Sequence, residues 1–324
     1  MLRTLDARIE RWALRAPFRI ARGTRTSIEV VVVAVGDNGF LGRGEGTPTA
    51  RYGETPDSVL AQIMAIAPAI RSGASRGTLL DLLPPGSARN AIDAALWDLE
   101  AKQAGMSLPP GPAVTSAQTL SIDTPSAMGA AALKLAKARL VKVKVDGNDP
   151  AACLRAVRAS LPLTRLIVDA NEGWTMAMLE RMQPVLAELG ITFLEQPLPA
   201  AEDTALARFK SAVPLCADES CHVAADVERL RDRYQFVNIK LDKTGGLTEA
   251  LALLAAARAA GMGVMVGCML ATSLGIAPAL QVAARSDYAD LDGPWWLAED
   301  RPGGLVVGDD GGITPPWPGF WDAG

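Results

Sequence analysis

The sequence contains few of the residues that several common kinds of functional site require. Its 324 residues include one histidine, His222, and aromatic residues make up only 5% of the chain. Because protein zinc sites are built mainly from histidine and cysteine, this inventory argues against zinc. The four cysteines form no C-x-x-C pair and lie among apolar neighbours: Cys153, Cys216, Cys221 and Cys268. We interpret them as reduced, mostly buried thiols of a cytoplasmic protein.

The chain also lacks the patterns typical of membrane, secreted and nucleic-acid-binding proteins. No uncharged apolar run reaches the roughly 20 residues of a transmembrane helix. The Arg-rich N-terminus carries Asp6 and Glu10 and has no unbroken apolar stretch, which argues against a signal peptide. The formal net charge of -4 gives no reason to expect nucleic acid or an acidic membrane surface as a partner. We therefore expect neither nucleic acid nor a membrane as a partner, and a homo-oligomer remains possible.

What the chain does contain is an ordinary globular composition, 49% hydrophobic and 21% charged, over a length that suits one barrel-sized domain and a smaller one. The smaller domain is predicted at the N-terminus. There the β-branched residues 28 to 35, the turn Asp37-Asn38-Gly39 and residues 40 to 45 predict a hairpin. Two helices are predicted after it, over residues 56 to 70 and 88 to 103.

From about residue 115 onward, short β-rich runs alternate with helical runs rich in Ala and Leu. The eight predicted strands are centred near Leu120, Lys144, Asp169, Glu195, Asp218, Lys240, Val266 and Asp290. They follow one another at about 22 to 26 residues, which is the length of a strand, a helix and two short loops. Asp149 and Pro150 give one of the helices a typical start. The pattern describes a (β/α)₈-type barrel, and the aromatic tail 315 to 321 is predicted to pack back on the first domain.

Three consecutive predicted strands end in a carboxylate, namely Asp169, Glu195 and Asp218. The C-terminal ends of barrel strands meet at one face, where barrel active sites lie. Three buried anions at one point repel each other, so a cation is expected between them, and all-oxygen ligation favours Mg²⁺. The alternative interpretation is three unrelated carboxylates that each cap a helix.

Lysines occupy two further strands. Lys142 and Lys144 are two residues apart and therefore share one face of their strand, whereas Lys240 ends a strand on the opposite wall of the barrel. A neighbouring ammonium group and a metal are expected to lower a lysine pKa toward the operating pH, as a general base requires. A lysine on each side of a carbon next to a metal-bound carboxylate could exchange its proton through an enediolate, with inversion. Lysine or histidine bases acting with Mg²⁺ are a known means of removing a proton from a carbon next to a carboxylate.

Five segments, in order and at barrel spacing, resemble the motif set of the muconate-lactonizing-enzyme subgroup of the enolase superfamily: Lys142-Val143-Lys144, Asp169-Ala170-Asn171, Glu195-Gln196-Pro197, Ala217-Asp218-Glu219-Ser220 and Asn238-Ile239-Lys240. The resemblance implies an α/β fold in which a modified TIM barrel, (β/α)7β, spans residues 113–302. It also implies an α+β capping domain over residues 1–112, completed by the tail 303–324.

The same resemblance assigns roles to the site residues. It makes Asp169, Glu195 and Asp218 the ligands of one Mg²⁺ per subunit. Lys144 and Lys240 become the two bases, and Lys142 assists Lys144. Lys243 is left without a role. His222 is interpreted as a bystander, so the inventory supports the two-lysine mechanism and not a His-Asp base.

Within the subgroup, two features favour a dipeptide epimerase. Asp290 and Asp292 form an acidic pair at the barrel mouth that suits a substrate with an ammonium group, and dipeptide epimerases carry such a pair. An arginine of the N-terminal loop, Arg22 or Arg25, could pair with the side-chain carboxylate of a glutamate. The remaining substrate-binding positions implied by the resemblance are Thr119, Lys142, Cys268 and Met269.

The resemblance thus implies an isomerase, an epimerase that inverts the glutamate α-carbon of L-Ala-D/L-Glu in murein peptide recycling. An epimerase of another dipeptide and a lyase of the same subgroup, a cycloisomerase or an o-succinylbenzoate synthase, remain open. A non-catalytic barrel that binds a small molecule is the third possibility, and it would not need both Lys144 and Lys240.

Overall fold

The computed structural model describes residues 3–20, 23–106 and 113–321. Its N-terminal part is a three-stranded antiparallel sheet in the order β1-β2-β3, covered by three helices. The strands are β1 (Thr4–Ile20), β2 (Gly23–Asp37) and β3 (Phe40–Gly46), and the helices are α1 (Pro56–Arg71), α2 (Arg76–Leu82) and α3 (Ser87–Ala104). The predicted hairpin and both predicted helices are present, whereas β1 and α2 were not predicted. Much of β1 is only partly buried, so its sequence lacks a clean apolar alternation.

Helix α3 lies unusually close to β3, and three alternating glycines make this possible. A β-carbon added to Gly42 would lie 2.1 Å from Ala95 O, and one added to Gly44 would lie 2.1 Å from Ala91 O. No side chain fits in such a gap, so glycine is required for the helix to pack on the sheet. The buried inner positions of the sheet, such as Val31 and Val33, pack in one apolar cluster with α1 and α3.

The rest of the chain forms an eight-stranded parallel sheet in sequential order. All eight predicted strands are present: β4 (Gln118–Leu120), β5 (Leu140–Lys144), β6 (Arg165–Asp169), β7 (Phe193–Glu195), β8 (Leu215–Ala217), β9 (Phe236–Lys240), β10 (Gly263–Gly267) and β11 (Tyr288–Asp290). An isolated parallel bridge joins Ser116 to Ala289, and Ala117 N donates to Ala289 O at 2.7 Å. These contacts close the sheet into a barrel.

The helices around the barrel are less regular than the predicted repeat. Four are full-length: α4 (Pro125–Leu133), α5 (Pro150–Ser160), α6 (Met176–Glu188) and α9 (Leu247–Ala259). The others have four residues each: α7 (Val227–Leu230), α8 (Leu241–Thr244), α10 (Ser273–Ile276) and α11 (Leu280–Ala283). Short 3₁₀ turns lie between the barrel elements at Asp203–Arg208, Ala224–Asp226, Ala277–Ala279 and Gly293–Trp296, and one more lies in the first domain at Ala50–Tyr52. Asp149 caps α5 as expected, accepting a hydrogen bond from Ala152 N.

The tail returns to the first domain. After the small hairpin β12 (Val306–Val307) and β13 (Ile313–Thr314), Trp321 Nε1 donates to Ala94 O of α3 at 3.2 Å. The guanidinium of Arg43 lies 5.4 Å from the ring centre of Phe320. Across the described ranges, no helix is both long and apolar enough to span a membrane.

Candidate active site

The inward-facing side chains of the barrel form an apolar layer below a polar one. The lower layer packs as a separate apolar cluster made of Ala117, Leu140, Ile167, Phe193, Cys216 and Met265. Two residues further along the same strands or at their ends stand Thr119, Lys142, Asp169, Glu195, Asp218 and Gly267. Because side chains alternate along a strand, these polar groups sit directly above the apolar layer. The site therefore has a dry floor and an open C-terminal mouth.

Three carboxylates converge at the centre of this polar layer. One oxygen each of Asp169, Glu195 and Asp218 lies within 4.8 Å of the others, and all three residues are buried. Asn238 Nδ2 donates to Glu195 Oε1 at 2.8 Å. Lys142 Nζ lies 2.7 Å from Glu195 Oε2, but in a geometry that leaves this oxygen without a hydrogen bond. A buried oxygen without a hydrogen-bond partner, amid hard oxygen donors, fits a Mg²⁺-type cation.

The pKa values of these carboxyl groups reflect their crowding. Burial, followed by the charge of Asp169, raises the pKa of Glu195 to about 8. Burial acts in the same direction on Asp169 and Asp218, but adjacent lysines outweigh it and hold both pKa values below the usual range. The site thus concentrates more negative charge than Glu195 tolerates, which is the electrostatic condition for cation binding.

Lysines flank the carboxylates from two sides. Lys144 Nζ, at the end of β5, lies 2.6 Å from Asp169 Oδ2, and Lys240 Nζ, at the end of β9, lies 2.7 Å from Asp218 Oδ2. Strands β5 and β9 are four positions apart in the barrel order. Lys142 Nζ reaches Asp169 Oδ2 at 3.0 Å and Asp290 Oδ2 at 2.8 Å. The structure therefore brings the three predicted lysines and three predicted carboxylates into one cluster.

The pKa values of Lys240 and Lys142 differ in direction from the expectation. Burial lowers the pKa of Lys240, but nearby carboxylates, Asp218 first and then Glu195 and Glu219, together outweigh it, and the net direction is upward rather than downward. The pKa of Lys142 is likewise raised, because Asp169, Asp290 and Glu195 outweigh the effect of burial. The expectation of a lowered pKa rested on the positive charges of a neighbouring ammonium group and a metal. In the structure, the negative charges of nearby carboxylates have the larger effect on the lysine pKa values.

Lys243 is a member of the cluster that sequence reasoning left without a role. Its buried Nζ donates to Asp218 Oδ1 at 2.6 Å, to Asp218 O at 2.5 Å and to Asn238 O at 3.0 Å. These three acceptors use all three N–H bonds of the ammonium group. The signal in the sequence was a lysine three residues after Lys240, within one turn of the short helix α8.

The acidic pair at the barrel mouth, Asp290 and Asp292, accepts hydrogen bonds from neighbouring residues. Asp292 Oδ2 accepts from Thr119 N at 2.7 Å and from Trp296 Nε1 at 3.3 Å. Thr119 Oγ1 donates to Asp290 Oδ1 at 3.4 Å. Burial, followed by the charge of Asp290, raises the pKa of Asp292 to about 7. Because Lys142 already pairs with Asp290, the mouth carries less net negative charge than two carboxylates would.

A cavity of about 460 Å³ opens above the cluster, a volume that suits a small-molecule ligand. Lys144, Lys240, Asp290 and Asp292 line it from the barrel, together with Thr119, Lys142, Cys268 and Met269. The first domain contributes a cover that includes Phe18, Ile20, Arg25 and Arg51. Arg25 is thus at the cavity, whereas Arg22 lies outside the described residues.

His222 lies to one side of the cavity rather than in it. Its ring packs edge-on against Tyr52 at 4.9 Å between ring centres, and Nε2 lies 3.1 Å from Glu219 O. It is not among the residues that line the cavity.

Comparison with known families agrees with this arrangement. The chain matches the mandelate racemase/muconate lactonizing enzyme N-terminal domain over residues 3–109 and the enolase C-terminal domain-like family over residues 127–320. The chain belongs to the mandelate racemase/muconate lactonizing enzyme family of the enolase superfamily. The predicted superfamily is thereby confirmed.

Two relatives of this family identify the class of enzyme. L-Ala-D/L-Glu epimerase of Escherichia coli is 48% identical over 309 residues, covering 92% of this chain and 96% of the relative. N-acetyl-D-glutamate racemase of a Pseudoalteromonas species is 43% identical over 300 residues, covering 90% and 95%. Epimerases and racemases are isomerases, so the predicted enzyme class is confirmed.

Solved structures of the family share the whole fold. An enolase family member from Agrobacterium tumefaciens with homology to dipeptide epimerases, solved with sodium and L-Ala-L-Glu, superposes with a TM-score of 0.96 at 47% identity, covering 98% of this chain and 99% of that one. Dipeptide epimerase of Cytophaga hutchinsonii, solved with Mg and D-Ala-L-Val, gives a TM-score of 0.91 at 30% identity, covering 98% and 94%. The predicted fold class, a barrel with a capping domain, is confirmed.

Proposed function

We propose that this protein is a dipeptide epimerase that inverts the glutamate α-carbon of L-Ala-D/L-Glu. One observation carries the proposal: Lys144 and Lys240 line a single cavity from strands β5 and β9, with the carboxylate cluster between them. An amine on each side of one carbon is what inversion by two bases requires. The 48% identity to the E. coli L-Ala-D/L-Glu epimerase supports the choice of substrate.

In this proposal Asp169, Glu195 and Asp218 hold one Mg²⁺ per subunit. Their buried oxygens and the high pKa of Glu195 suit a divalent cation, and the Mg of the C. hutchinsonii structure supports its identity. When bound, the cation would offset the negative charge that develops on the substrate carboxylate as the α-proton leaves.

The protein's own residues then move the proton. Lys144 or Lys240, whichever faces the α-hydrogen, removes it, and the other lysine delivers a proton to the opposite face. Each must alternate between ammonium and amine, so the carboxylate contacts that raise the pKa of Lys240 have to weaken in the working site. Lys142, held by carboxylates on three sides, stays charged and assists Lys144.

The cavity lining accounts for the choice of substrate. Asp290 and Asp292 would bind the N-terminal ammonium group, with Thr119 holding both carboxylates in place. Arg25, on the cover, would bind the glutamate side-chain carboxylate. Cys268 and Met269 line the wall beside Asp290 and Asp292. We further propose that residues 1–112 with the tail 303–324 cap the barrel of residues 113–302, and that the enzyme recycles murein peptides in the cytoplasm.

A second candidate function is racemisation of an N-acylated glutamate. The 43% identity to N-acetyl-D-glutamate racemase favours it, as does the Lys142–Asp290 ion pair, which reduces the negative charge available for an ammonium group. An epimerase of a different dipeptide has support at lower identity, because the C. hutchinsonii structure with D-Ala-L-Val is 30% identical to this chain.

The test is proton exchange at the α-carbon in D₂O, followed by NMR with L-Ala-L-Glu, L-Ala-D-Glu, N-acetylglutamate and a small dipeptide library. We expect the two L-Ala-Glu epimers to interconvert fastest and to gain one deuterium at the glutamate α-carbon. Faster turnover of N-acetylglutamate would favour the second candidate. The absence of α-exchange in every substrate would exclude an epimerase.

The two lysines give the matching mutational prediction. Lys144→Ala and Lys240→Ala should each reduce epimerisation by roughly 10²- to 10⁴-fold or more, because each removes one of the two acid–base groups. Each variant should still exchange the α-proton of one epimer, and the two variants should prefer opposite epimers. Lys137→Ala, which removes an exposed lysine paired with Asp309, is the control and should keep full activity. Full turnover in both site variants would refute the mechanism.

A further inference from the structure

The third carboxylate of the cluster, Asp218, lies beyond the hydrogen bonds of the sheet that carries it. Strands β7 and β8 pair at Leu194 with Leu215 and at Glu195 with Cys216. The last ladder bond runs from Gln196 N to Cys216 O at 2.9 Å. The backbone pairing of β7 with β8 therefore ends before Asp218, and that of β8 with β9 ends at Ala217, so contacts outside the ladder hold the backbone of Asp218.

The side chain of Gln196 continues the ladder where the backbone stops. Its Oε1 accepts hydrogen bonds from Asp218 N at 2.9 Å and from Ser220 N at 3.2 Å. Gln196 directly follows Glu195 in the chain. One amide group thus connects the backbone of the second carboxylate to the backbone of the third.

Gln196 is itself held in an unfavourable backbone conformation. Its φ is 33°, in the left-handed region that residues with a β-carbon rarely adopt, and its side chain is fully buried. Such a conformation persists only where the surrounding contacts enforce it. Gln196 Nε2 lies 2.9 Å from Leu198 O, 2.9 Å from Ser220 Oγ and 3.1 Å from Tyr234 Oη, and its two N–H bonds are shared among these three acceptors, which hold the residue in place.

A buried aspartate decides which way the amide of Gln196 points. Asp203 Oδ2 accepts from Ser220 Oγ at 2.6 Å and from Tyr234 Oη at 3.0 Å, and Arg233 Nη1 donates to Oδ1 at 2.6 Å. A carboxylate can only accept hydrogen bonds, so the hydroxyl groups of Ser220 and Tyr234 both donate to Asp203. Their oxygen lone pairs are then left to accept from Gln196 Nε2. The amide oxygen must then face the N–H groups of Asp218 and Ser220.

We propose that Gln196 is a positioning residue of the metal site, which holds the carboxylates of Glu195 and Asp218 at the separation a divalent cation needs. This inference rests on the proposed metal-dependent function. Gln196 would touch neither the cation nor the substrate; it acts through the backbone of Asp218. Asp203, Ser220 and Tyr234 form the support that keeps its amide in one orientation.

The test is the affinity of metal-depleted protein for Mn²⁺, by electron paramagnetic resonance, and for Mg²⁺, by calorimetry. Because groups that orient metal ligands typically contribute 10- to 100-fold to metal affinity, we expect Gln196→Ala and Gln196→Glu to weaken both by roughly that factor. Gln196→Glu keeps the size of the side chain and its acceptor oxygen. It loses the N–H donors and sets an oxygen against Leu198 O and the two hydroxyl groups.

Gln183→Ala is the matched control. Gln183 Oε1 accepts from Ala212 N at 2.6 Å and Ser211 Oγ at 3.1 Å, so it supports the loop before β8 with the same chemistry but without a metal ligand beside it. The Gln183→Ala variant should bind Mn²⁺ and Mg²⁺ with the affinity of the wild type. A merely structural role of Gln196 would lower the melting temperature and leave the affinity of the folded protein unchanged.

The outcomes separate the two proposals. Wild-type affinity in both Gln196 variants would overturn the positioning role, whatever their stability. If Gln196→Ala does not fold, Gln196→Glu decides by the same criterion. A wild-type protein that binds neither cation would instead overturn the metal-dependent function on which the inference rests.

Discussion

Glu195 is the carboxylate of the cluster with the least electrostatic compensation. Asp169 contacts Lys142 and Lys144, and Asp218 contacts Lys240 and Lys243, whereas the only cation within ion-pair distance of Glu195 among the described residues is Lys142, which Glu195 shares with Asp169 and Asp290. This imbalance is why its pKa rises to about 8 while those of the other two fall. At the scale of single residues, the uncompensated charge of Glu195 destabilises the folded metal-free protein but allows the site to bind a cation.

Replacement of Glu195 tests both effects, the destabilisation of the metal-free protein and the binding of the cation. Since the raised pKa disfavours the charged form, Glu195→Gln should raise the melting temperature of the metal-free protein at pH 8. Mg²⁺ should raise the melting temperature of the wild type and should have little effect on the variant, because a ligand is lost. Differential scanning calorimetry with EDTA or with Mg²⁺ measures both effects. An equal Mg²⁺ response in the two proteins would contradict the assignment of Glu195 as a ligand.

Among the structural elements, helix α3 connects the first domain to the segment that follows Lys240. Arg89 donates to Thr244 O at 2.6 Å and to Gly245 O at 3.1 Å, directly after α8. Asp93 accepts from Thr248 N at 3.0 Å and thereby caps α9 from another domain. Gly246, at the start of α9, has a φ of 119°, and an added β-carbon would lie 2.4 Å from Asp93 Oδ2. The fit of α3 against this turn therefore depends on glycine.

The variant Asp93→Ala tests how much the cap of α9 contributes to the free energy of unfolding. The N–H and hydroxyl of Thr248 would lose their acceptor, and loss of a capping side chain typically costs about 0.5–2 kcal/mol of unfolding free energy. Urea denaturation should detect the loss. Asp57→Ala, at an exposed position in the first turn of α1, serves as the control and should unfold with nearly the wild-type midpoint. Equal midpoints for the two variants would argue against the inter-domain cap.

At the scale of the whole molecule, a buried carboxyl group, Glu45, and a half-buried one, Asp242, lie where the first domain meets the barrel. Asp242 on α8 accepts from Thr47 N at 2.9 Å and Asn90 Nδ2 at 2.8 Å. Glu45 on β3 accepts from Thr272 and pairs with Arg301. Burial raises the pKa of Asp242 to about 7, despite its two hydrogen bonds. The interface therefore joins the domains through carboxyl groups whose pKa burial raises, Glu45 as well as Asp242.

The interface predicts a pH-dependent stability difference. A raised folded-state pKa means that the contribution of Asp242 is fully present below its ordinary pKa and is lost as pH rises through about 7. The non-titrating variant Asp242→Asn should therefore gain stability relative to the wild type as pH rises toward 7, and the difference should level off above it. Melting temperatures of both proteins, measured in parallel at constant ionic strength, test this. A difference that does not change with pH would contradict the raised pKa.

Much of the molecule follows from the sequence alone. The eight barrel strands were predictable because each is a short apolar run that repeats at the length of a strand–helix unit. The carboxylates and lysines of the site stood out because polar residues ended those runs. The first strand and the short outer helices were less predictable, because β1 is half exposed and four-residue helices carry too little periodicity.

The sequence by itself thus determined the succession of the barrel strands and the six charged groups of the cluster, since these depend on local alternation and spacing. Only the tertiary structure decided the roles of Lys243, Gln196 and Asp203, the upward pKa of Lys240 and the inter-domain cap by Asp93. Those properties arise from contacts between residues far apart in the chain. Hydrogen bonds and charge interactions act over a few ångströms, so their partners appear only once the barrel has closed and the first domain has packed against it.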